Sequence, residues 1–252
     1  MNRRIPIAAL IAAVFALGPT RDADAYDLKP MVIQLKPSGA GSAATAVITN
    51  THSVPIALEI RAYRREQLPD GTDKLVAEDR DIILTPPQMV LAPKTSQSFR
   101  IQWVGDAKPS RELAYRIVTE QLPIQFAKVT RNDRTADITM KYRYEMALYV
   151  EPDGAKPEAS IASAEVVKGK DGERQLSLRF RSSGTMRAIL DKPVVEVAGG
   201  GSPVRLDQVA TNALIGLNIL PGAERVVRVP APAGLPDGPV KASLSTEYTI
   251  LR

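Results

Sequence analysis

ADITMKYRYEMALYV, residues 136–150, carries the clearest periodicity in the chain. Ile138, Met140, Tyr142, Tyr144, Met146, Leu148 and Val150 fall on every second position, with Thr139, Lys141, Arg143, Glu145, Ala147 and Tyr149 between them. Successive side chains of a strand point to opposite faces, so this spacing makes one face continuously apolar and the other largely polar. At roughly 3.3 Å per residue the segment would extend about 45–50 Å, against a usual strand of about five or six residues. That length is more than one sheet ordinarily uses. Periodicity alone also fits a half-buried strand whose apolar face packs wholly into its own sandwich.

The segments on either side read the same way. ELAYRIVTEQLP (112–123) puts Tyr, Ile, Val and Thr close together ahead of Pro123, which favours a strand over a helix. After Val150, EPDGAKP (151–157) has the composition of an inter-domain linker. Further upstream, strands are predicted at 31–35, 44–49, 56–63 and 97–104, with a shorter pair near 74–84. In 97–104 the alternation sends Phe99, Ile101 and Trp103 to one face, so Trp103 reads as core. The adjacent Pro86 and Pro87 lack backbone donors and exclude a regular helix there. Downstream, strands are predicted at 161–167, 174–181, 186–190, 193–197, 203–206, 224–229 and 240–250. With 20 Pro and 16 Gly among 252 residues, most apolar runs are too short for long helices. The expectation is an all-β chain of two immunoglobulin-like β-sandwich domains joined by a short hinge.

Export is written into the N-terminus. MNRR precedes the apolar run Ile5–Leu17 and the small-residue site Ala23-Asp24-Ala25, the order of a secretory signal peptide. The run is short for a bilayer span, and no later stretch is long and apolar enough for one, so stable membrane insertion is not expected. The expected division is a signal peptide over 1–25, cleaved after Ala25, a first domain over 26–151 and a second over 152–252. Removing residues 1–25 takes away three Arg and two Asp, leaving 30 basic and 26 acidic side chains and a net charge of +4. The basic residues are dispersed rather than gathered into a run, which argues against a nucleic-acid partner.

Little in the sequence points to chemistry. There is no cysteine, hence no disulfide, thiol nucleophile or Cys-based metal site. The single histidine, His52, sits in the turn-like NTHSVP, where it reads as a solvated turn residue without partners for a metal site or a Ser/His/Asp triad. Glu78, Asp79 and Asp81 read as a solvated charged loop. The GGG at 199–201 is followed by no Walker-type Lys-Ser/Thr, and a hairpin connection explains it better than phosphate binding. No catalytic residue, metal site or cofactor is expected.

Together these features resemble the periplasmic pilus-assembly (PapD-like) chaperone family. TPPQMVLAPKTSQSFRIQW (85–103) is similar to that family's TPP-x-x-x-L-x-P segment and the strand after it. ELAYRIVTEQLP is similar to its E-x-x-Y strand ending in Glu-x-x-Pro or a near variant, and the long strand closes with EP at 151–152. The first-domain motifs look closest to the archaic, spore-coat-protein-U-like branch. In the second domain the likeness rests on RSSG (181–184), LPG (220–222) and LPDGPV (235–240).

The resemblance implies a periplasmic chaperone that binds pilus subunits by donor-strand complementation and delivers them to an outer-membrane usher. The implied donor residues are Ile138, Met140, Tyr142, Tyr144 and Met146, with Leu148 and Val150 anchored in the first domain. An apolar donor edge also leaves self-association open. The family's prototypes bind a subunit's C-terminal carboxylate with an Arg of the first strand and a Lys of the long strand. Here Val32 and Ala147 stand near those positions, so Lys29, Lys36, Lys141 and Arg143 are the candidate anchoring cations. Glu151 replaces the family's Arg before the closing Pro, and no inter-domain ion pair is expected from that position. The rival reading is a secreted two-domain immunoglobulin-like adhesion or structural module, which would bind a mature external ligand instead of rescuing a subunit from degradation. An exported β-sandwich enzyme is the weakest alternative.

Overall fold

The computed structural model describes residues 26–124 and 141–251; the expected signal peptide, Ile138 and Met140 lie outside the described residues. The first domain contains β1 (Asp27–Lys29), β2 (Val32–Leu35), β3 (Ala43–Thr49), β4 (Ile56–Gln67), β5 (Asp73–Ala77), β6 (Ile82–Thr85), β7 (Gln88–Leu91), β8 (Ser96–Trp103), β9 (Leu113–Gln121) and β10 (Arg143–Val150). One sheet has the order β1-β3-β8-β6 and the other β2-β10-β9-β4-β5, with β7 added against β4. The alternation read from the sequence is what closes them. Phe99, Ile101 and Trp103 of β8 point inward and meet Tyr115 and Ile117 of β9 and Leu148 of β10 in one buried cluster. The indole N–H of Trp103 donates to the Asp106 carbonyl at 3.1 Å, so the ring is buried with its polar edge satisfied.

The second domain contains β11 (Ala159–Lys168), β12 (Arg174–Ser182), β13 (Ala188–Ala198), β14 (Val204–Arg205), β15 (Asn218–Ile219), β16 (Glu224–Pro230) and β17 (Gly238–Tyr248), with a short helix α1 (Gln208–Asn212). Its ladder runs β14-β13-β17-β11-β12-β16, with β15 against β13. Although β12 and β13 are separated by two strands in that order, Leu178 and Phe180 share a core with Leu190, Val195 and Val197. The ladder therefore folds over onto itself and encloses a second core.

Several expectations are corrected in detail. The segments 186–190 and 193–197 are one strand, β13, interrupted by an irregularity between Asp191 and Val194 where Lys192 has φ +48°. The short β1 and β15 and the helix α1 are too brief to leave a periodic signal; α1 begins with the Asp207 carboxylate accepting the Ala210 N–H at 2.8 Å. Glu78 is buried rather than solvated, and its carboxylate accepts the backbone N–H groups of Arg80 and Asp81, both at 3.1 Å.

Candidate functional site

The long strand has one fully paired side and one partly open side. β9 covers β10 along its whole length, from Arg143 opposite Glu120 to Val150 opposite Leu113. On the other side β2 runs parallel to β10 but reaches only Ala147–Val150. The Gln121 N–H donates to the Tyr142 carbonyl at 3.0 Å, while Ala147 and Glu151 donate to Met31 and Leu35 at 2.9 and 2.8 Å. Even-numbered residues of β10 thus turn their backbone groups to β9 and odd-numbered ones to the β2 side. Arg143 and Glu145 are odd-numbered, and among the described residues no strand covers them. Their N–H and C=O groups form an open edge at the start of the strand. The cover ends there because the chain before β2 leaves this sheet, and β1 pairs with β3 in the opposite one.

The apolar face of β10 is held at home over most of the described length. Met146, Leu148 and Val150 have no exposed surface and lie in the first core. Met146, expected as a donor residue, is buried in this core together with Leu148 and Val150. Tyr144 packs edge-on against Tyr26 with ring centroids 4.7 Å apart, and Tyr142 lies 5.7 Å from the ring of His52. His52 is accordingly not a solvated turn residue: 8% of it is exposed. Its loop is drawn inward by the buried Asn50, whose side-chain N–H groups donate to the carbonyls of Val54, Leu91 and Ala92 and whose Oδ1 accepts the His52 N–H at 2.9 Å.

The opposite face of the same sheet looks toward the second domain. Val32 and Ala147 are direct cross-strand partners, and Ala147 is in turn opposite Arg116 of β9. Arg116 Nη2 lies 3.0 Å from Asp73 Oδ2, and Arg65 Nε lies 2.7 Å from the same oxygen. Two guanidinium groups thus converge on one carboxylate oxygen, which leaves a local surplus of positive charge. Arg65 also donates to the Tyr149 hydroxyl at 3.3 Å. The Tyr149 ring lies under the guanidinium of Arg187 from the second domain, 3.9 Å from ring centroid to Cζ.

The four cations singled out in the sequence do not gather at this place. Lys29 pairs with Asp27 at 2.7 Å, Lys36 with Asp153 at 3.0 Å and Arg143 with Glu145 at 3.0 Å. Lys141 is exposed just before β10. An apolar period read along β4 and β9 passes over Arg65 and Arg116, which are basic residues on the outward parity of strands otherwise rich in apolar residues.

An inter-domain ion pair does exist, away from Glu151. Glu112, immediately before β9, pairs with Arg187 and also accepts the Arg187 backbone N–H at 3.2 Å. Burial pushes the Glu112 carboxyl up to about 7, opposed by the neighbouring Arg187 charge.

The family model for the N-terminal domain of the PapD pili and flagellar-assembly chaperones matches residues 31–156, half the chain. The chain belongs to the PapD-like pilus assembly chaperone family. The two-domain fold agrees with solved chaperone structures at low sequence identity. The CsuC–CsuE chaperone–tip adhesion subunit pre-assembly complex, from archaic chaperone-usher Csu pili of Acinetobacter baumannii, superposes with a TM-score of 0.52 at 13% identity, covering 81% of this chain and 90% of that one. The class 5 fimbriae chaperone CfaA gives 0.52 at 13% identity, covering 86% and 98%. The Salmonella enterica SafA pilin–SafB chaperone complex gives 0.50 at 17%, covering 84% and 86%. No curated protein matches the sequence.

This family consists of periplasmic chaperones rather than enzymes. In the chaperone described here, no helix among the described residues is long and apolar enough to cross a membrane. Its distinctive surface is a strand edge, with a basic cluster across the sheet from it.

Proposed function

We propose that the chaperone captures incomplete pilus subunits by lending them the edge of β10 and the segment that leads into it, and hands them to an outer-membrane usher. The observation that carries this reading is the open backbone at Arg143 and Glu145, adjoining the alternating run that holds Ile138 and Met140. An edge of this kind adds a strand to a sheet that lacks one: backbone pairing tolerates many sequences, while alternate side chains fill pockets. Burying Ile138 and Met140 at about 1.5–3 kcal/mol each would contribute on the order of 3–6 kcal/mol before association and ordering costs, with less from Tyr142 and Tyr144, which already pack against the first core. Solved relatives of this fold include chaperones bound to a tip adhesion subunit and to a pilin, which supports the same class of partner.

Arg116, with Arg65 beside it, is our proposed anchor for the subunit's terminal carboxylate. Arg116 is one strand from Ala147, and the pair of arginines has more positive charge than Asp73 neutralises. The export signal over 1–25, the domain limits 26–151 and 152–252, the archaic branch and self-association through the free edge belong to the same proposal.

The test is co-expression with a pilus subunit that is degraded when made alone. The wild-type chaperone is expected to hold it in a stoichiometric periplasmic complex and Met140→Asp to lose it. Equal subunit yield at equal chaperone abundance would rule out donation through this face.

A further inference from the structure

The hinge is not the sole link between the two domains. The β4–β5 hairpin reaches across and grips the β15–β16 region of the second domain at three points. Gln67, the last residue of β4, donates its side-chain N–H to the Asn218 carbonyl at 3.0 Å and accepts the Leu220 N–H at 3.0 Å on its Oε1. A carboxamide has the same donor and acceptor pair as a peptide group, so Gln67 occupies the edge of β15 as a neighbouring strand would. Two residues further on, the Pro69 carbonyl accepts the Val226 N–H at 2.7 Å. Val226 lies on β16, which ends its ladder, so the hairpin tip caps that exposed strand edge. The third point is Gly71, at φ +95°, where an added Cβ would stand 2.4 Å from Arg225 Nη2. Glycine is needed there for the backbone conformation, and a side chain at that position would also displace the guanidinium.

The turn itself is stiffened. Asp70 Oδ1 accepts the Thr72 N–H at 2.9 Å and the Thr72 hydroxyl at 2.7 Å, and the Gly71 N–H donates to the Leu68 carbonyl at 2.9 Å. A hairpin held this way transmits position instead of absorbing it. Three attachment regions, the hinge after Glu151, the buried Glu112–Arg187 pair and the hairpin tip, together restrict the rotation that a hinge alone allows.

We infer that Gln67 is a positioning residue: by docking the β4–β5 hairpin onto β15 it helps fix the angle between the domains, and so presets the cleft that Arg65, Gln67 and Leu220 line between them before any subunit arrives. The effect on capture rests on the donor-strand reading above. The restriction of the domains does not.

The chain has no cysteine, so spin labels can be placed at Thr45→Cys on β3 and Lys241→Cys on β17, both exposed positions. Pulsed electron–electron distance measurements on the full chain are expected to give one narrow distribution. Gln67→Met keeps the bulk of the side chain but neither hydrogen bond, and is expected to broaden the distribution at least twofold while the melting temperature of the first domain stays unchanged. Gly71→Ala attacks the same clamp from Arg225 and is expected to broaden it as well. A width unchanged in both variants overturns the clamp. Subunit capture by Gln67→Met is expected to fall several-fold; full capture despite a broadened distribution overturns the positioning role. Failure of the wild-type chaperone to retain any subunit would overturn the donor-strand reading instead, in a separate measurement from the distances.

Discussion

Glu112 and Arg187 form an ion pair across the two domains in which the side chains are 0% and 3% exposed. Removing Glu112 leaves the buried Arg187 charge without its carboxylate, and a guanidinium cannot shed its proton. At pH 8, Glu112→Met is expected to destabilise the chaperone by about 3–5 kcal/mol in urea unfolding. The double variant Glu112→Met/Arg187→Met should recover most of that loss, because two apolar side chains carry no desolvation penalty.

The same carboxyl gives stability a particular pH slope. Its value in the folded protein, about 7, lies above its ordinary 4.5. Between these values the folded state holds a proton that the unfolded chain has released. The contribution is therefore fully present below about pH 4.5 and is lost as pH rises through about 7. Melting curves from pH 5 to 7.5 should show this decline relative to Glu112→Gln, which has no proton to lose there. Parallel profiles for the two proteins would refute the assignment.

The open edge can be tested without touching the apolar face. The Glu145 N–H points away from β9, so Glu145→Pro removes one edge donor and leaves the β9 ladder intact. The variant is expected to fold, with a loss of about 1 kcal/mol or less, and to retain markedly less subunit in co-purification. Tyr144→Pro, which removes a donor facing β9, should instead unfold the first domain.

Replacing Arg116 separates anchoring from stability. Its side chain and that of Asp73 are each 18% exposed, and Arg65 remains on that carboxylate, so Arg116→Ala is expected to fold with a loss of about 1–3 kcal/mol. A lost charge-assisted bond to a carboxylate, about 1.5–3 kcal/mol, predicts subunit binding weaker by roughly tenfold or more. Arg116→Lys should restore part of it, and a subunit extended past its natural C-terminus should be insensitive to the change. Equal affinities for all three proteins in a titration would place the anchor elsewhere.

The strands were legible because burial writes a period of two into sequence: Phe99, Ile101 and Trp103, or Met146, Leu148 and Val150, announce their face directly. What escaped notice depends on contacts between residues far apart. His52 lies in a polar turn sequence, yet Asn50 draws that loop inward through carbonyls that include those of Leu91 and Ala92. Glu112 belongs to a family motif, but its partner Arg187 is 75 residues away and follows no pattern of its own. The basic cluster required knowing that Arg65, Asp73 and Arg116 come from three neighbouring strands.

The shortness of β2 has a meaning for design. Because it meets β10 over only four residues, from Ala147 to Val150, its length meters how much of the partner strand is left for another molecule. A version of the chain in which β2 began two residues earlier in the same register would satisfy the outward groups of Glu145 from within. On the donor-strand proposal, such a protein would be a self-sealed chaperone: better protected against edge-to-edge aggregation, and for the same reason a poorer host for a subunit.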